Sequence, residues 1–183
     1  MSKTYIALLR GINVGGHKKI KMADLRQAFK SWGFTNIRTL LASGNVLFES
    51  DETDTSDDAS SLQQSIEAGL AKTFGFDVAV IIRTLEEIQA LVETDPFQEI
   101  EVTPNTRLYI TFLSEKPTSD LPIPYQSPEK NYQILAVSDR EICSVLTLTD
   151  KMRTTDAMNI LEKEFGKNIT TRNWNTVLKL LEK

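Results

Sequence analysis

Cysteine and histidine each occur once in the 183 residues, as Cys143 and His17, and this scarcity removes several classes of function at the start. A lone cysteine forms no intramolecular disulfide, and one histidine with one cysteine does not make a conventional zinc site. No apolar amino-terminal stretch follows a basic segment, so the reading is a cytoplasmic protein with no membrane partner. Neither Gly-x-x-x-x-Gly-Lys-Ser/Thr nor Gly-x-Gly-x-x-Gly occurs, which leaves ATP and dinucleotide binding without a motif. The acidic run from Asp51 to Asp58 lacks the glycine and glutamate of a calcium loop and reads as a solvated connection. Cys143 lies in the apolar stretch Ile142-Cys143-Ser144-Val145-Leu146, the setting of an inert core thiol.

What is present is an uneven distribution of charge. The net charge is −4, yet residues 1–48 carry +7, residues 49–150 carry −14 and residues 151–183 carry +3. An acidic bulk with basic ends fits a confined anion site better than long tracts of nucleic acid. A chain of this length buries roughly 70% of its unfolded surface, enough for one large domain or two small ones.

Residues 4–10 alternate or run apolar and read as a strand, and residues 22–32 have helical spacing that ends at Gly33. A hairpin over Ile37–Leu41 and Val46–Phe48 turns at Ser43-Gly44-Asn45, where Gly44 and Asn45 are expected at positive φ. A second helix marked by Leu62, Ile66, Leu70 and Phe74 leads to a strand ending at Ile82. The order β-α-β-β-α-β predicts an α+β fold, a ferredoxin-like split βαβ antiparallel sheet with helices on one face. It occupies residues 1–83; residues 84–183 form a second α+β subdomain, related in plan, with carboxyl-terminal helices. There the spacing predicts a helix near Leu85–Val92, a strand at Arg107–Leu113, a hairpin of Asn131–Val137 with Glu141–Leu148, and helices near Thr155–Phe165 and Arg172–Leu181.

The polar groups converge after the first strand. Arg10, Gly11, Asn13, Gly15, Gly16 and Lys21 occupy a connection longer than the usual ~2–6 residues, and Ser43 and Asn45 emerge at the same edge. Glycines let the backbone approach a ligand and the cations supply donors, so the chemistry favours an anion. The plainer alternative is a turn that needs glycine, with its lysines solvated. Arg172 and Asn173 are expected in the first turn of the last helix behind a Thr170 or Thr171 cap, where a cation opposes the helix dipole and is either a solvated charge or reaches an anion or carboxylate. Trp174 continues the apolar stripe of Val177, Leu178 and Leu181 and reads as core. His17 is a candidate general base with no carboxylate to orient it.

Leu9-Arg10-Gly11-Ile12-Asn13-Val14-Gly15-Gly16, Lys21-Met22-Ala23-Asp24-Leu25, Gly33-Phe34, Ser43-Gly44-Asn45-Val46 and Thr171-Arg172-Asn173-Trp174-Asn175-Thr176-Val177 together resemble the bacterial family known as domain of unknown function 1697. The resemblance implies a ferredoxin-like α+β fold in two related subdomains and implies no activity. The expected function is binding of an anionic, phosphorylated or carboxylated ligand, such as a nucleotide or short RNA, with no cofactor named. The alternatives are an enzyme of phosphoryl, nucleotidyl or acyl chemistry at the same site, and a structural or interaction module, for instance a homodimer. For RNA, the sheet offers Tyr5 and Phe48 without the aromatic motif of an RNA-recognition module.

Overall fold

The computed structural model describes residues 2–51 and 58–182, so most of the acidic run, residues 52–57, lies outside the described residues. The chain is α+β and divides into two units, one running to Ala90 and the other from Leu91 to Glu182, a division that falls within a helix.

In the first unit the elements are β1 (Ser2–Leu9), α1 (Met22–Ser31), β2 (Thr35–Leu40), β3 (Asn45–Asp51), α2 (Asp58–Phe74), β4 (Val80–Thr84) and the start of α3 (Leu85–Glu93). The sheet order is β2-β3-β1-β4 and every neighbouring pair is antiparallel. Alternate residues of the strands, Tyr5, Ala7 and Leu9 on β1, Val46 and Phe48 on β3, and Val80 and Ile82 on β4, share one core with Leu25 and Phe29 of α1 and Ile66 and Leu70 of α2. Both helices therefore lie on the same face, as the strand period of two and the helical stripes require. Phe48 is the centre of this core, with the rings of Phe34, Phe29 and Tyr5 at 4.6, 5.3 and 5.8 Å. Tyr5 and Phe48 are buried under the helices, so neither ring is exposed on the sheet.

The second unit contains β5 (Thr106–Leu113), β6 (Tyr125–Gln126), β7 (Tyr132–Val137), β8 (Glu141–Thr147), α4 (Thr154–Phe165), β9 (Ile169–Asn173) and α5 (Trp174–Leu180). Its sheet order is β6-β7-β8-β5-β9, again antiparallel throughout. Tyr109 and Leu113 of β5, Tyr132 and Ile134 of β7, Ile142 and Leu146 of β8 and Ile169 of β9 pack with Ala157 and Leu161 of α4. The last helix begins at Trp174, not Arg172: Thr170-Thr171-Arg172 form the strand β9, whose residues pair with β5. Neither Thr170 nor Thr171 caps a helix. Among the described residues, no helix is long and apolar enough to cross a membrane.

Candidate functional site: a braced glycine hairpin after the first strand

The exit from β1 is held on both sides. Leu9 N–H donates to the Gly44 carbonyl at 2.8 Å and Arg10 N–H to the Ala79 carbonyl at 2.9 Å. The long connection that follows is itself a small hairpin. Asn13 N–H donates to the Lys18 carbonyl at 3.1 Å, His17 N–H to the Val14 carbonyl at 3.1 Å, and Val14 pairs with His17. Gly15 and Gly16 between them have φ of 60° and 78°. Positive φ at both central residues makes a type I′ turn, the one whose twist matches paired strands, so these glycines are required by the turn.

Asn13 holds the hairpin to the body of the unit. Its Nδ2 donates to the carbonyls of Ile20 at 3.0 Å and Ala42 at 2.8 Å, while its Oδ1 accepts from Ile20 N–H at 2.9 Å. Both donors are thereby consumed, and Asn13 acts as a brace within the chain. Asn45 is fully buried, and its Nδ2 donates to the Leu40 carbonyl at 2.7 Å and to Ser43 Oγ at 3.1 Å. The loop after β1 and the turn after β2 thus meet, and Gly44 is where they touch: a Cβ there would lie 2.8 Å from Leu9 Cβ and 2.7 Å from Ile12 Cδ1. The positive φ values of that turn fall on Leu41, at 59°, and Gly44, at 84°, and not on Asn45, which already belongs to β3. Asparagine suggested a turn position; its side chain instead closes the turn from inside.

What faces outward is cationic. Gly11, Gly15, Gly16, His17, Lys18, Lys19, Lys21 and Ser43 are exposed and Arg10 is half-buried. Lys18 Nζ donates to the Asp77 carbonyl at 2.6 Å. Among the described residues Lys19 and Lys21 make no side-chain hydrogen bond or ion pair. Lys21 precedes α1, whose start has no side-chain cap, so first-turn amides stay open beside it. Val14 and Leu41 are the exposed apolar side chains here, at 66% and 50%. Among the described residues, no group of three or more His, Cys, Asp or Glu is placed to hold a metal.

Arg172 and Asn173 belong to the second unit. Arg172 is buried, opposite Ile110 of β5, and its Nη1 donates to Thr170 Oγ1 at 2.8 Å and to the Thr171 carbonyl at 3.0 Å. Burial pushes its pKa down to about 10. Asn173 pairs with Tyr109 and precedes α5 without a side-chain capping bond. The expectation that Arg172 opposes a helix dipole is corrected, since it sits within a strand. Sequence reasoning also passed over Arg83 of β4, equally buried, opposite Ile6 of β1, with its Nη1 donating to the preceding carbonyl, Ile82, at 2.9 Å. The shared signal was a strand, an arginine, one polar residue and then a helix.

Sequence reasoning missed one further feature, a cavity of about 450 Å³ between α1 and β2, lined by Ala23, Arg26, Gln27, Lys30, Phe34 and Ile37 among others. Arg26 spans it, donating from Nη1 to Thr39 Oγ1 at 2.6 Å. Cys143, on β8, is buried, and burial with help from nearby Glu141 pushes its thiol up to about 11, which suits an inert core residue.

Comparison with known proteins agrees with the fold. A family model described as "Protein of unknown function (DUF1697)" matches residues 2–142. The solved structure of conserved bacterial protein SP0830 from Streptococcus pneumoniae is similar with a TM-score of 0.71 and 22% identity, over 98% of this chain and 97% of that one. No curated protein matches the sequence.

Proposed function

The chain belongs to the DUF1697 family of proteins of unknown function, and from that premise we propose that it is a cytoplasmic binding protein for an anionic, phosphorylated or carboxylated ligand at the glycine hairpin. The observation that carries this reading is the division of labour within one loop. Asn13 spends its whole amide on holding the backbone, while Lys19 and Lys21 stand exposed with no side-chain partner among the described residues. A loop held in several positive-φ conformations needs no lysines to keep its shape, and a preorganised cationic surface loses little entropy on meeting an anion. Open first-turn amides of α1 add donors next to Lys21. Asn13, Asn45 and Gly44 support the site by holding its backbone in place.

Catalysis has no observation in its favour. His17 is exposed, and its side chain has no orienting partner among the described residues.

A thermal-shift series with inorganic phosphate, nucleotides, sugar phosphates, acyl-CoAs and short RNAs tests the reading. A ligand bound only by the native state stabilises by about 2.7 kcal/mol at a hundredfold excess over its Kd. The expected result is a shift with one anion class that is lost in the Lys19→Ala/Lys21→Ala double variant. A shift that survives in that variant, or none with any class, removes the proposal.

A further inference from the structure

Among the exposed large apolar residues, Val14 at 66% and Val102 at 63% stand out, and they sit in opposite electrostatic settings. Val14 is at the tip of the glycine hairpin, among Lys18, Lys19 and Lys21. Val102 is in a stretch, residues 84–106, that contains no lysine or arginine, and it follows the exposed Glu99 and Glu101. Both surfaces are held in shape. The hairpin is tied down by Asn13, and the acidic segment is anchored by buried Phe97, whose ring lies 5.3 Å from Trp174, and by the Ile100 N–H to Phe97 carbonyl bond.

Leu41 adds an independent observation. It stands one residue from Ala42, whose carbonyl accepts from Asn13 Nδ2, so its backbone lies near the base of the hairpin. Its φ of 59° is uncommon for a leucine and is strained, whereas glycine or asparagine takes it readily. Half of its surface is exposed, so the core gains little from it. A strained residue that leaves half of its side chain in water points to something outside the molecule.

We propose that Val14 and Leu41, with Lys19 and Lys21, dock onto the Glu99–Val102 segment of a second copy of this chain. The inference rests on the proposed reading of the hairpin as an anion-binding surface and names carboxylates of a second copy as the anion. The match is of both charge and apolar character: an exposed aliphatic residue in a lysine-rich hairpin meets an exposed valine that follows Glu99 and Glu101. A free phosphate would use the lysines and leave Val14 and Leu41 in water, and aliphatic side chains give a nucleic acid no stacking surface.

Sedimentation velocity of the full chain at micromolar and near-millimolar concentrations, in low and high salt, tests this. The wild-type chain is expected to self-associate with concentration, and less so in high salt, because exposed charge pairs are screened. Lys19→Glu/Lys21→Glu and Glu99→Lys/Glu101→Lys should each be monomeric, and an equimolar mixture of the two should associate again. Leu41→Asn should melt no lower than the wild type and still lose association, a separation that a folding defect does not produce. Wild type that stays monomeric at every concentration, reversal variants that still associate, or a mixture that does not recover overturns the proposal. Thermal shift by inorganic phosphate on a strictly monomeric wild type overturns it while leaving the anion site standing; no shift with any anion class and no association overturns both.

Discussion

The two units build the same sheet and differ in what joins its first two strands. Strands β5, β7, β8 and β9 occupy the places of β1, β2, β3 and β4, in the orders β7-β8-β5-β9 and β2-β3-β1-β4. The correspondence extends to single bonds. Leu113 N–H donates to the Arg140 carbonyl as Leu9 N–H does to Gly44, and Ser114 N–H donates to Asn168 as Arg10 N–H does to Ala79. Arg172 faces Ile110 as Arg83 faces Ile6. Beyond that shared exit the halves part: the first makes the glycine hairpin and α1, and the second passes through Pro117, Pro122, Pro124 and Pro128 with only the two-residue β6. The lesson is that the sheet and its buried arginines are the common scaffold, while the cationic hairpin is an addition to one copy.

The largest effect should come from the turn position the halves share. Gly44→Ala places a Cβ against Leu9 and Ile12 at a φ of 84°, and should cost about 4 kcal/mol in chemical denaturation. Its counterpart Arg140 carries a full side chain at the equivalent site, so Arg140→Ala should cost under about 1 kcal/mol. A similar loss for both would break the comparison. Next come the paired arginines. Arg83→Ala and Arg172→Ala each orphan a carbonyl and leave a cavity in the core, and each should cost about 3 kcal/mol. Losses that differ by more than about 1 kcal/mol would mean the two positions are not equivalent.

A third test separates the units by pH. Burial holds the Cys143 thiol at about 11 against an ordinary value of 9. Above 9 the unfolded chain releases this proton while the folded chain keeps it, so stability is complete below 9 and falls as pH rises toward 11, by about 2 kcal/mol. Tyr132, pushed up to about 12 chiefly by burial, acts in the same direction at still higher pH. Both groups lie in the second unit, so amide exchange should open there first in alkali, and Cys143→Ala should flatten the profile from 9 to 11. The smallest effect belongs to the hairpin cations. Lys19→Ala/Lys21→Ala should change stability by less than about 0.5 kcal/mol, which sharpens the view that they serve a partner and not the fold.

Much of this was legible in residue spacing because strands and helices with one buried face write their period into the chain. The first unit was read in its full order, down to the meeting of the post-β1 loop with the β2–β3 turn. The strand β9 was not, because Thr170-Thr171-Arg172 runs straight into a helix whose stripe from Trp174 extends backward without a break. Arg172 misled for the same reason: a buried cation in a strand looks in sequence like an exposed one at a helix start. Asn13 and Asn45 were selected as ligand donors, and the structure turns both side chains onto the chain itself, a direction that spacing does not show. Two related halves were expected from the order of elements without a repeat in the sequence itself, because what the halves share is backbone pairing, which many side chains satisfy.

The central position of β1 has a consequence for how the protein is made. The strand is synthesised before both of its neighbours, β3 and β4, so one of its edges stays open until Val80–Thr84 has been made. The same wait recurs for β5, which needs β9 near the end of the chain. Each half therefore exposes an apolar, half-paired strand through most of its own synthesis, and a chain stopped before residue 169 would carry a finished first sheet and an unclosed second one.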